Sequence, residues 1–210
     1  GAVAISSDPY RDLSLCDISE IGSYLNKEGI RTNIHYVISE KTLGNAIEII
    51  EGKYDDYFKD FNAIIFLTHK PFGRADSSDS IKSPNLLNSF LKLIDKPVSK
   101  IRVGFDACFV PILMKKTNVD TNMIDSCECG FFSVYINENL DVMPCSFCND
   151  NKYKYNLKEF DFKDIWLNKF SDYRDYMEDY GKIGCGECKL DDCRGTCPFF
   201  EELFLCGLND

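Results

Sequence analysis

Four short apolar runs in the first half of the chain predict β-strands. Each is rich in Ile, Val and Phe and nearly continuous, as in strands covered on both faces. The runs are Val3–Ser7, Asn33–Ser39, Ala63–Thr68 and Ile101–Phe105. Segments between them carry apolar residues at helical spacing, and Ile18, Ile21 and Leu25 fall on one stripe of the first. These helical segments are about Asp17–Lys27, Thr42–Glu51 and Asn85–Leu93.

Strand and helix alternate about every 30 residues in this half, which is typical of βα units around a parallel sheet. Right-handed crossovers would place the helices on one side of that sheet. A closed (βα) barrel needs more than four strands. We therefore expect an α/β fold in which residues 1–120 form a partial barrel of about four parallel βα units.

The pattern changes after Lys116. Short β-runs at Phe131–Ile136 and Val142–Pro144 flank a turn-like Asn-Glu-Asn sequence and predict a hairpin. A polar stretch, Asn149–Lys158, leads to predicted helices within Asp161–Tyr180. The following segment, residues 184–197, is too rich in glycine and cysteine for a regular element. We expect residues 121–210 to form a small α+β domain organised by whatever its cysteines bind.

The net charge of −10 comes entirely from the second half of the chain. Residues 1–117 carry 15 acidic and 15 basic side chains, whereas residues 118–210 carry 19 acidic and 9 basic ones. No basic stripe is present, which argues against a nucleic-acid partner. The acidic half is expected to be a solvated face or a docking surface for a basic partner or peptide.

The sequence predicts neither a membrane segment nor a secretory signal. No apolar run approaches the roughly 20 residues that a membrane span requires. The first residues lack the basic start and the long apolar region of a signal peptide. We expect a cytoplasmic protein with no membrane partner. Gly1 in place of Met suggests a processed or engineered start, and the sequence is expected to begin partway through a natural protein.

Nine of the eleven cysteines crowd into the second half and indicate a metal-binding module. They are Cys127, Cys129, Cys145, Cys148, Cys185, Cys188, Cys193, Cys197 and Cys206. A secreted disulfide domain is usually short and has an even number of cysteines after a signal peptide. This segment has an odd number and no signal, and its C-x-C and C-x2-C spacings favour chelation over disulfide pairing.

Iron–sulfur clusters and zinc are the two candidate occupants. Structural zinc takes four Cys or His ligands, and C-x2-C pairs are common in zinc ribbons. The sequence Cys193-x3-Cys197-Pro198 matches the end of the bacterial ferredoxin run, whose last cysteine binds the other cluster. The region also has no histidine. Ligation by thiolates alone suits iron–sulfur clusters without excluding zinc.

The cysteine arrangement resembles the SPASM domain, a C-terminal extension of many radical S-adenosylmethionine enzymes. The family pattern is roughly C-x(9–15)-G-x4-C, then C-x2-C-x5-C-x3-C, then a final C. Cys127 or Cys129 opens the pattern here, Cys145 closes its first part, and Cys206 ends it. Two departures are loop variants that remove no ligand. Leu140 stands where the family has Gly, and x4 replaces x5.

The resemblance implies two auxiliary [4Fe-4S] clusters. Cys185, Cys188, Cys193 and Cys206 would bind the distal cluster. Cys197 and Cys145 would bind the proximal cluster together with one or two of Cys127, Cys129 and Cys148. The resemblance is also compatible with one cysteine remaining a free thiol, and with an iron that binds substrate directly.

The first half resembles part of the six-unit barrel of the same enzymes. Ser6 and Asp8 match the S-x-D segment that contacts S-adenosylmethionine, although a polar turn is the alternative. Asp106 follows the fourth strand and is a candidate catalytic base or substrate contact, or else a helix N-cap. In the loop after the third strand, His69 and Arg74 could position a carboxylate or a peptide, or face solvent.

Three residues of the first half are expected to be structural. His35 lies in an apolar strand and is expected to be a hydrogen-bonded core residue. Cys16 and Cys108 are expected to be small buried apolar residues.

The resemblance implies the C-terminal portion of a radical S-adenosylmethionine enzyme that modifies a peptide or protein, closest in type to ribosomal-peptide maturases. Ser146 follows Cys145, where sulfatase-maturing members have Asp. The C-x3-C-x2-C motif of the cluster that cleaves S-adenosylmethionine is absent from these 210 residues. S-adenosylmethionine is therefore expected only in a full-length enzyme, with an external electron donor. The alternatives are a degenerate relative and a zinc-stabilised, non-catalytic interaction module.

Overall fold

The computed structural model describes residues 2–7, 13–183, 188, 190 and 193–208, and it has a mixed α/β fold. The strands are β1 (Ala2–Ser6), β2 (Arg31–Ile38), β3 (Ala63–Thr68), β4 (Arg102–Phe105), β5 (Tyr135–Ile136), β6 (Asp141–Met143) and β7 (Tyr155–Asn156). The α-helices are α1 (Leu15–Lys27), α2 (Leu43–Ile50), α3 (Asp55–Phe58), α4 (Pro84–Ile94), α5 (Val110–Lys116), α6 (Phe162–Asp164) and α7 (Ser171–Ile183). A π-helical turn, Ile165–Lys169, connects α6 to α7. The described part of residues 2–117 is called the sheet region below, and that of residues 127–208 the cysteine region.

The sheet region contains a parallel sheet with the strand order β1-β2-β3-β4, which confirms the predicted α/β class. Buried and half-buried residues alternate along β2. Ile34, Tyr36 and Ile38 pack into one apolar core with residues of α1, α2, α4 and α5. His35 and Val37, on the opposite face of β2, are only half-buried. The helices therefore cover one face of the sheet, as right-handed crossovers require.

Local sequence explains where two of these helices begin. Ser14 and Asp17 form a capping box at α1, in which the Ser14 hydroxyl accepts from the Asp17 N–H and the Asp17 carboxylate accepts from the Ser14 N–H. Pro84 occupies the first turn of α4, where its missing N–H leaves no bond unmade. Ile18 of α1 and Leu87, Phe90, Leu91 and Ile94 of α4 then pack into the core on the sheet, whereas Ile21, predicted on the same stripe as Ile18, is 37% exposed.

The predicted hairpin is present in the cysteine region. Strand β5 pairs with β6 in antiparallel fashion, with Tyr135 opposite Met143. Leu140, in the connecting turn, has a φ of 68°, in the left-handed region that favours glycine. The polar stretch Asn149–Lys158, for which the sequence predicts no strand, supplies β7, which pairs with β6 through Asn156 opposite Asp141. The three strands form one antiparallel sheet.

Two small apolar clusters stabilise the cysteine region. One contains Met143, Cys148, Tyr153, Tyr173 and Met177. The other is built on Val142, Ile165 and Phe170. Strand β6 contributes to both clusters, so α6, the π-helical turn and α7 are held against the hairpin.

The last described segment returns to the sheet region. Leu205 is 3% exposed and belongs to the core of the parallel sheet. Cys206 packs against the same core, and its carbonyl accepts a hydrogen bond of 3.0 Å from the Lys115 Nζ. The chain between α5 and this segment is therefore attached to the sheet region at both ends. None of the helices within the described residues combines the length and the apolar character that a bilayer crossing requires.

Candidate metal centre

A cavity of about 390 Å³ lies where the sheet region meets the cysteine region, and five cysteines line it. They come from four separate segments of the chain. Cys108 lies in the turn between β4 and α5, Cys127 and Cys129 precede the hairpin, Cys145 follows β6, and Cys197 belongs to the last segment. The cavity thus gathers thiols that are far apart in sequence.

Three of these cysteines accept a hydrogen bond from the backbone N–H two residues further along. Phe147 N lies 3.3 Å from the Cys145 Sγ, in a turn closed by Cys148 N donating to the Cys145 carbonyl. The Cys127 Sγ accepts in the same way from Cys129 N, and the Cys197 Sγ accepts from Phe199 N. Hydrogen bonds of this kind stabilise a thiolate, and they also tune the potentials of iron–sulfur clusters.

The cavity thiols also hydrogen-bond to one another. Cys129 donates to Cys127 and Cys145, which lowers the pKa of Cys127 to about 6 and that of Cys145 to about 7. The same bonds raise the pKa of Cys129. Cys108 donates to Cys197, so the pKa of Cys108 is raised and that of Cys197 is lowered. These hydrogen bonds therefore favour the thiolate forms of Cys127, Cys145 and Cys197 over those of Cys108 and Cys129.

A half-buried ion pair forms another wall of the cavity. The Lys70 Nζ lies 2.6 Å from an Asp106 carboxylate oxygen, and the other oxygen accepts from the Thr68 hydroxyl at 2.7 Å. Burial alone would lower the pKa of Lys70. The charge of Asp106 and its hydrogen bond with Lys70, together with the neighbouring cysteines, outweigh burial and raise the pKa of Lys70. Lys70 is therefore a fixed positive charge beside the thiolates.

The loop that carries Cys127 and Cys129 is attached to α7. The Arg174 Nε donates to the Gly130 carbonyl at 2.8 Å, and its Nη2 donates to the Trp166 carbonyl at 2.7 Å. Gly130 has a φ of 76°, and a Cβ on it would lie 2.5 Å from the Tyr173 ring. Only glycine fits there without a shift, so the Tyr173 ring and Gly130 together fix the position of Cys129.

The other predicted metal ligands lie outside this cavity. Cys148 is buried, and its thiol donates to the Asp150 carbonyl at 3.6 Å. Burial raises the pKa of Cys148 to about 11. Cys188 is exposed, and the Sγ of the half-buried Cys193 accepts from Gly195 N at 3.4 Å. Cys206 packs on the core of the sheet region.

Cys185 lies outside the described residues, so the structure gives no complete picture of the predicted distal site. Asp8 also lies outside them. Its predicted partner Ser6 is exposed at the C-terminal end of β1, on the opposite edge of the sheet from β4.

The remaining polar candidates of the sheet region do not line the cavity. The His69 Nε2 lies 3.0 Å from the Asp76 carbonyl oxygen, and Arg74 is exposed. His35 is half-buried and lies on the face of β2 that the helices leave open. Cys16 was expected to be buried, but it is exposed on α1.

Sequence reasoning missed two residues of the cavity wall. Cys108 was expected to be a buried apolar residue but is half-buried and hydrogen-bonded to Cys197. In the loop after β3, the sequence favours His69 and Arg74 as candidates, whereas Lys70 is the residue that lines the cavity. Both missed residues follow directly on the C-terminal end of a parallel strand, which is where α/β folds place their chemistry. That position is the signal that could have identified them.

The donor set of the cavity fits an iron–sulfur cluster. Within the described residues, no group of three or more His, Cys, Asp or Glu side chains could hold one metal ion. A four-iron cluster makes a different demand, because each iron takes its own thiolate and the ligands surround a cage. Five thiols around a cavity of about 390 Å³, with the half-buried Lys70 ammonium beside them, provide such a set. Comparisons with protein-family models, curated proteins and solved structures found no match.

Proposed function

We propose that this chain is part of a radical S-adenosylmethionine enzyme that modifies a peptide or protein, and that its cysteine region binds two auxiliary [4Fe-4S] clusters. The five thiols around one cavity carry this proposal. Cys127, Cys145 and Cys197 also accept backbone N–H groups, as thiolates that ligate iron commonly do. The cavity would be the site of the proximal cluster.

The parallel sheet supports the barrel part of the proposal. Its four strands are neighbours in sequence order, with helices packed on one face. Consecutive parallel strands in this arrangement are the repeating unit of a (βα) barrel. Lys70, Asp106 and Cys108 all follow the C-terminal ends of strands, the edge at which barrel enzymes carry their reactive groups.

The hairpin turn supports the resemblance to the SPASM pattern. Leu140 stands where that pattern has glycine, and it adopts a φ of 68°. A left-handed backbone is the usual physical reason for a glycine in a motif. The turn therefore keeps the conformation that a glycine would serve, although its residue is different.

When bound, an auxiliary cluster supplies a one-electron acceptor or donor close to the substrate. The chain's own residues hold and screen it. Lys70 would offset the negative charge of the ligating thiolates, and Pro144, Phe147 and Phe199 would keep water from the cavity. Both carboxylate oxygens of Asp106 are engaged, by Thr68 and by Lys70. Asp106 therefore fits the role of holding Lys70 better than that of a free base.

Metal analysis tests the cluster part of the proposal. Anaerobically purified protein is expected to contain roughly eight iron atoms and roughly eight acid-labile sulfides per chain. It is also expected to absorb visible light at about 400 nm. Cys145→Ala is expected to lose iron, whereas Cys16→Ala, which alters an exposed cysteine on α1, is expected to keep it all. Zinc without sulfide would instead support a non-catalytic interaction module and would contradict the proposal.

A longer polypeptide tests the catalytic part. Joined to a segment that contains C-x3-C-x2-C, the chain is expected to cleave S-adenosylmethionine reductively to 5′-deoxyadenosine, with dithionite as the electron donor. Failure to do so with a full complement of iron and sulfide would contradict the enzyme assignment and leave the auxiliary clusters in place.

A further inference from the structure

The cavity holds more thiols than one cluster can use. A [4Fe-4S] cluster takes four cysteine ligands, and five cysteines line the cavity. Cys127, Cys145 and Cys197 share the backbone N–H donor two residues on, which marks them as three of the four. The fourth place lies between Cys129 and Cys108.

The five thiols fall into two groups. Cys129 hydrogen-bonds to both Cys127 and Cys145, so these three thiols are adjacent. Cys108 hydrogen-bonds to Cys197 and forms the second group. A cage-like cluster is held by ligands that approach it from different directions. A ligand set with two thiols from each group approaches a cluster from more directions than a set with three thiols from one group and one from the other.

Chain geometry favours Cys108 as well. Cys129 stands two residues from Cys127 and already uses its backbone N–H as a donor to the Cys127 Sγ. Cys108 stands on an independent element, in the turn closed by Phe109 N donating to the Asp106 carbonyl. That turn directly follows β4 and is rigidly placed by the bond from Asp106 N to the Phe66 carbonyl.

We propose that Cys108, from the sheet region, is the fourth ligand of the proximal cluster, together with Cys127, Cys145 and Cys197. This inference rests on the proposed function and goes beyond the cysteine pattern, which contains no residue before Cys127. On ligation the Cys108 thiol gives up its proton to solvent and its sulfur bonds one iron. The cluster would then join the sheet region to the cysteine region, and Cys129 would remain a thiol beside it.

Alkylation of the protein as purified tests the ligand set directly. Cluster-loaded protein is treated anaerobically with iodoacetamide, and the modified cysteines are located by mass spectrometry before and after iron is removed by a chelator. Cys108 is expected to be protected in the loaded protein and labelled after chelation. Exposed Cys16 is expected to react equally in both states and provides the internal reference.

Matched variants complete the test. Cys108→Ala is expected to lose about half of the iron, or to retain it with an altered electron paramagnetic resonance spectrum of the reduced cluster, if Cys129 takes the vacant place. Cys129→Ala is expected to keep both the iron and the spectrum of the wild-type protein.

Two results would overturn the assignment of Cys108. One is labelling of Cys108 in the loaded protein as fast as Cys16, and the other is a normal spectrum in Cys108→Ala together with an altered one in Cys129→Ala. If Cys108 and Cys129 are both protected from iodoacetamide, the electron paramagnetic resonance spectra of Cys108→Ala and Cys129→Ala decide which of the two is the ligand. Wild-type protein without iron and sulfide would contradict the proposed function itself, so the two failures are distinguishable.

Discussion

The sheet region is built around one large apolar cluster, which extends from Ile18 in α1 to Leu113 in α5 and includes Leu205 of the last segment. The cysteine region buries only two small apolar clusters, around Met143 and Val142. The first region can therefore be stabilised by apolar burial alone. The second has little apolar core for its size and supplies four of the five thiols around a cavity at its boundary. The difference shows that one chain can combine a region built on a large apolar core with one that buries only small apolar clusters.

Removal of the proposed clusters should change the two regions most differently. Because metal binding contributes directly to the folding of small metal domains, amide exchange in residues 127–179 is expected to rise by at least about tenfold on chelation. The helices and strands of the sheet region are expected to change little. Hydrogen exchange with mass spectrometry measures both regions in one experiment. An equal rise in amide exchange throughout the sheet region would contradict the expected difference between the two regions.

The same substitution should have very different effects inside and outside the apolar core. Phe66 is fully buried and contacts the rings of Tyr36, Phe90 and Phe105. Phe66→Ala is expected to lower the free energy of unfolding by about 3–5 kcal/mol. Phe132→Ala, at a 75% exposed position in the cysteine region, should change it by less than about 0.5 kcal/mol. Urea denaturation measures both, and similar losses would contradict the burial argument.

Two glycines allow a matched test of close packing beside the cysteine-lined cavity. Gly130 and Gly29 both have positive φ, but a Cβ on Gly130 would lie 2.5 Å from Tyr173, while nothing lies within 4 Å at Gly29. Gly29→Ala should cost about 1 kcal/mol for the backbone alone. Gly130→Ala should cost about 2–3 kcal/mol, because steric overlap adds to that term. Thermal unfolding measures the difference, and equal losses would show that Tyr173 yields freely.

The sheet region should be sensitive to acid through one loop carboxylate. Burial would raise the pKa of Glu40, but hydrogen bonds from the Lys82 and Ser83 N–H groups and the Ser83 hydroxyl outweigh burial and lower it. A lowered folded-state pKa gives stability that is complete above the unfolded value of 4.5 and is lost as the pH falls through the folded value.

Glu40→Gln tests this acid sensitivity. The variant is expected to be less stable than the wild type by about 1 kcal/mol at neutral pH. The gap should narrow as the pH falls below about 4.5. Urea denaturation at several pH values measures it, and a gap independent of pH would contradict a role for the charge.

The smallest expected effect is a gain in stability at the hairpin turn. Leu140 has a φ of 68° and is 41% exposed, so Leu140→Gly removes backbone strain and loses little burial. A rise of up to about 1 kcal/mol in the free energy of unfolding is expected. Leu167→Gly, at a 52% exposed position in the π-helical turn, should instead lower it by about the same amount. A loss in Leu140→Gly would contradict the strain argument.

The strands of the parallel sheet could be predicted from sequence to within about two residues. Buried parallel strands leave continuous apolar runs, and Ala63–Thr68 was predicted with its observed bounds. The hairpin could be predicted because a turn stands between two β-runs. Strand β7 could not, because it has only two residues, in a polar stretch, and forms by pairing with β6.

The candidate site could be predicted only in part. The hairpin brings Cys145 towards Cys127 and Cys129, and that approach follows from local structure. The meeting of Cys108 with Cys197 depends on how the two regions pack, which no local pattern encodes. Cys148 shows the converse, because its C-x2-C spacing suggests a ligand while its side chain packs with Met143 and Tyr173.

Leu205 has a consequence for the order in which the protein folds. It completes the core of the sheet region, yet the neighbouring bond from Lys115 to Cys206 spans 91 positions of the chain. Contacts between such distant positions form late and slow the folding of a domain. During synthesis, the sheet region would leave the ribosome with an open apolar patch beside α5. That patch closes only after the cysteine region has been made, so closure of the core and formation of the cysteine-lined cavity fall in the same late stage of folding.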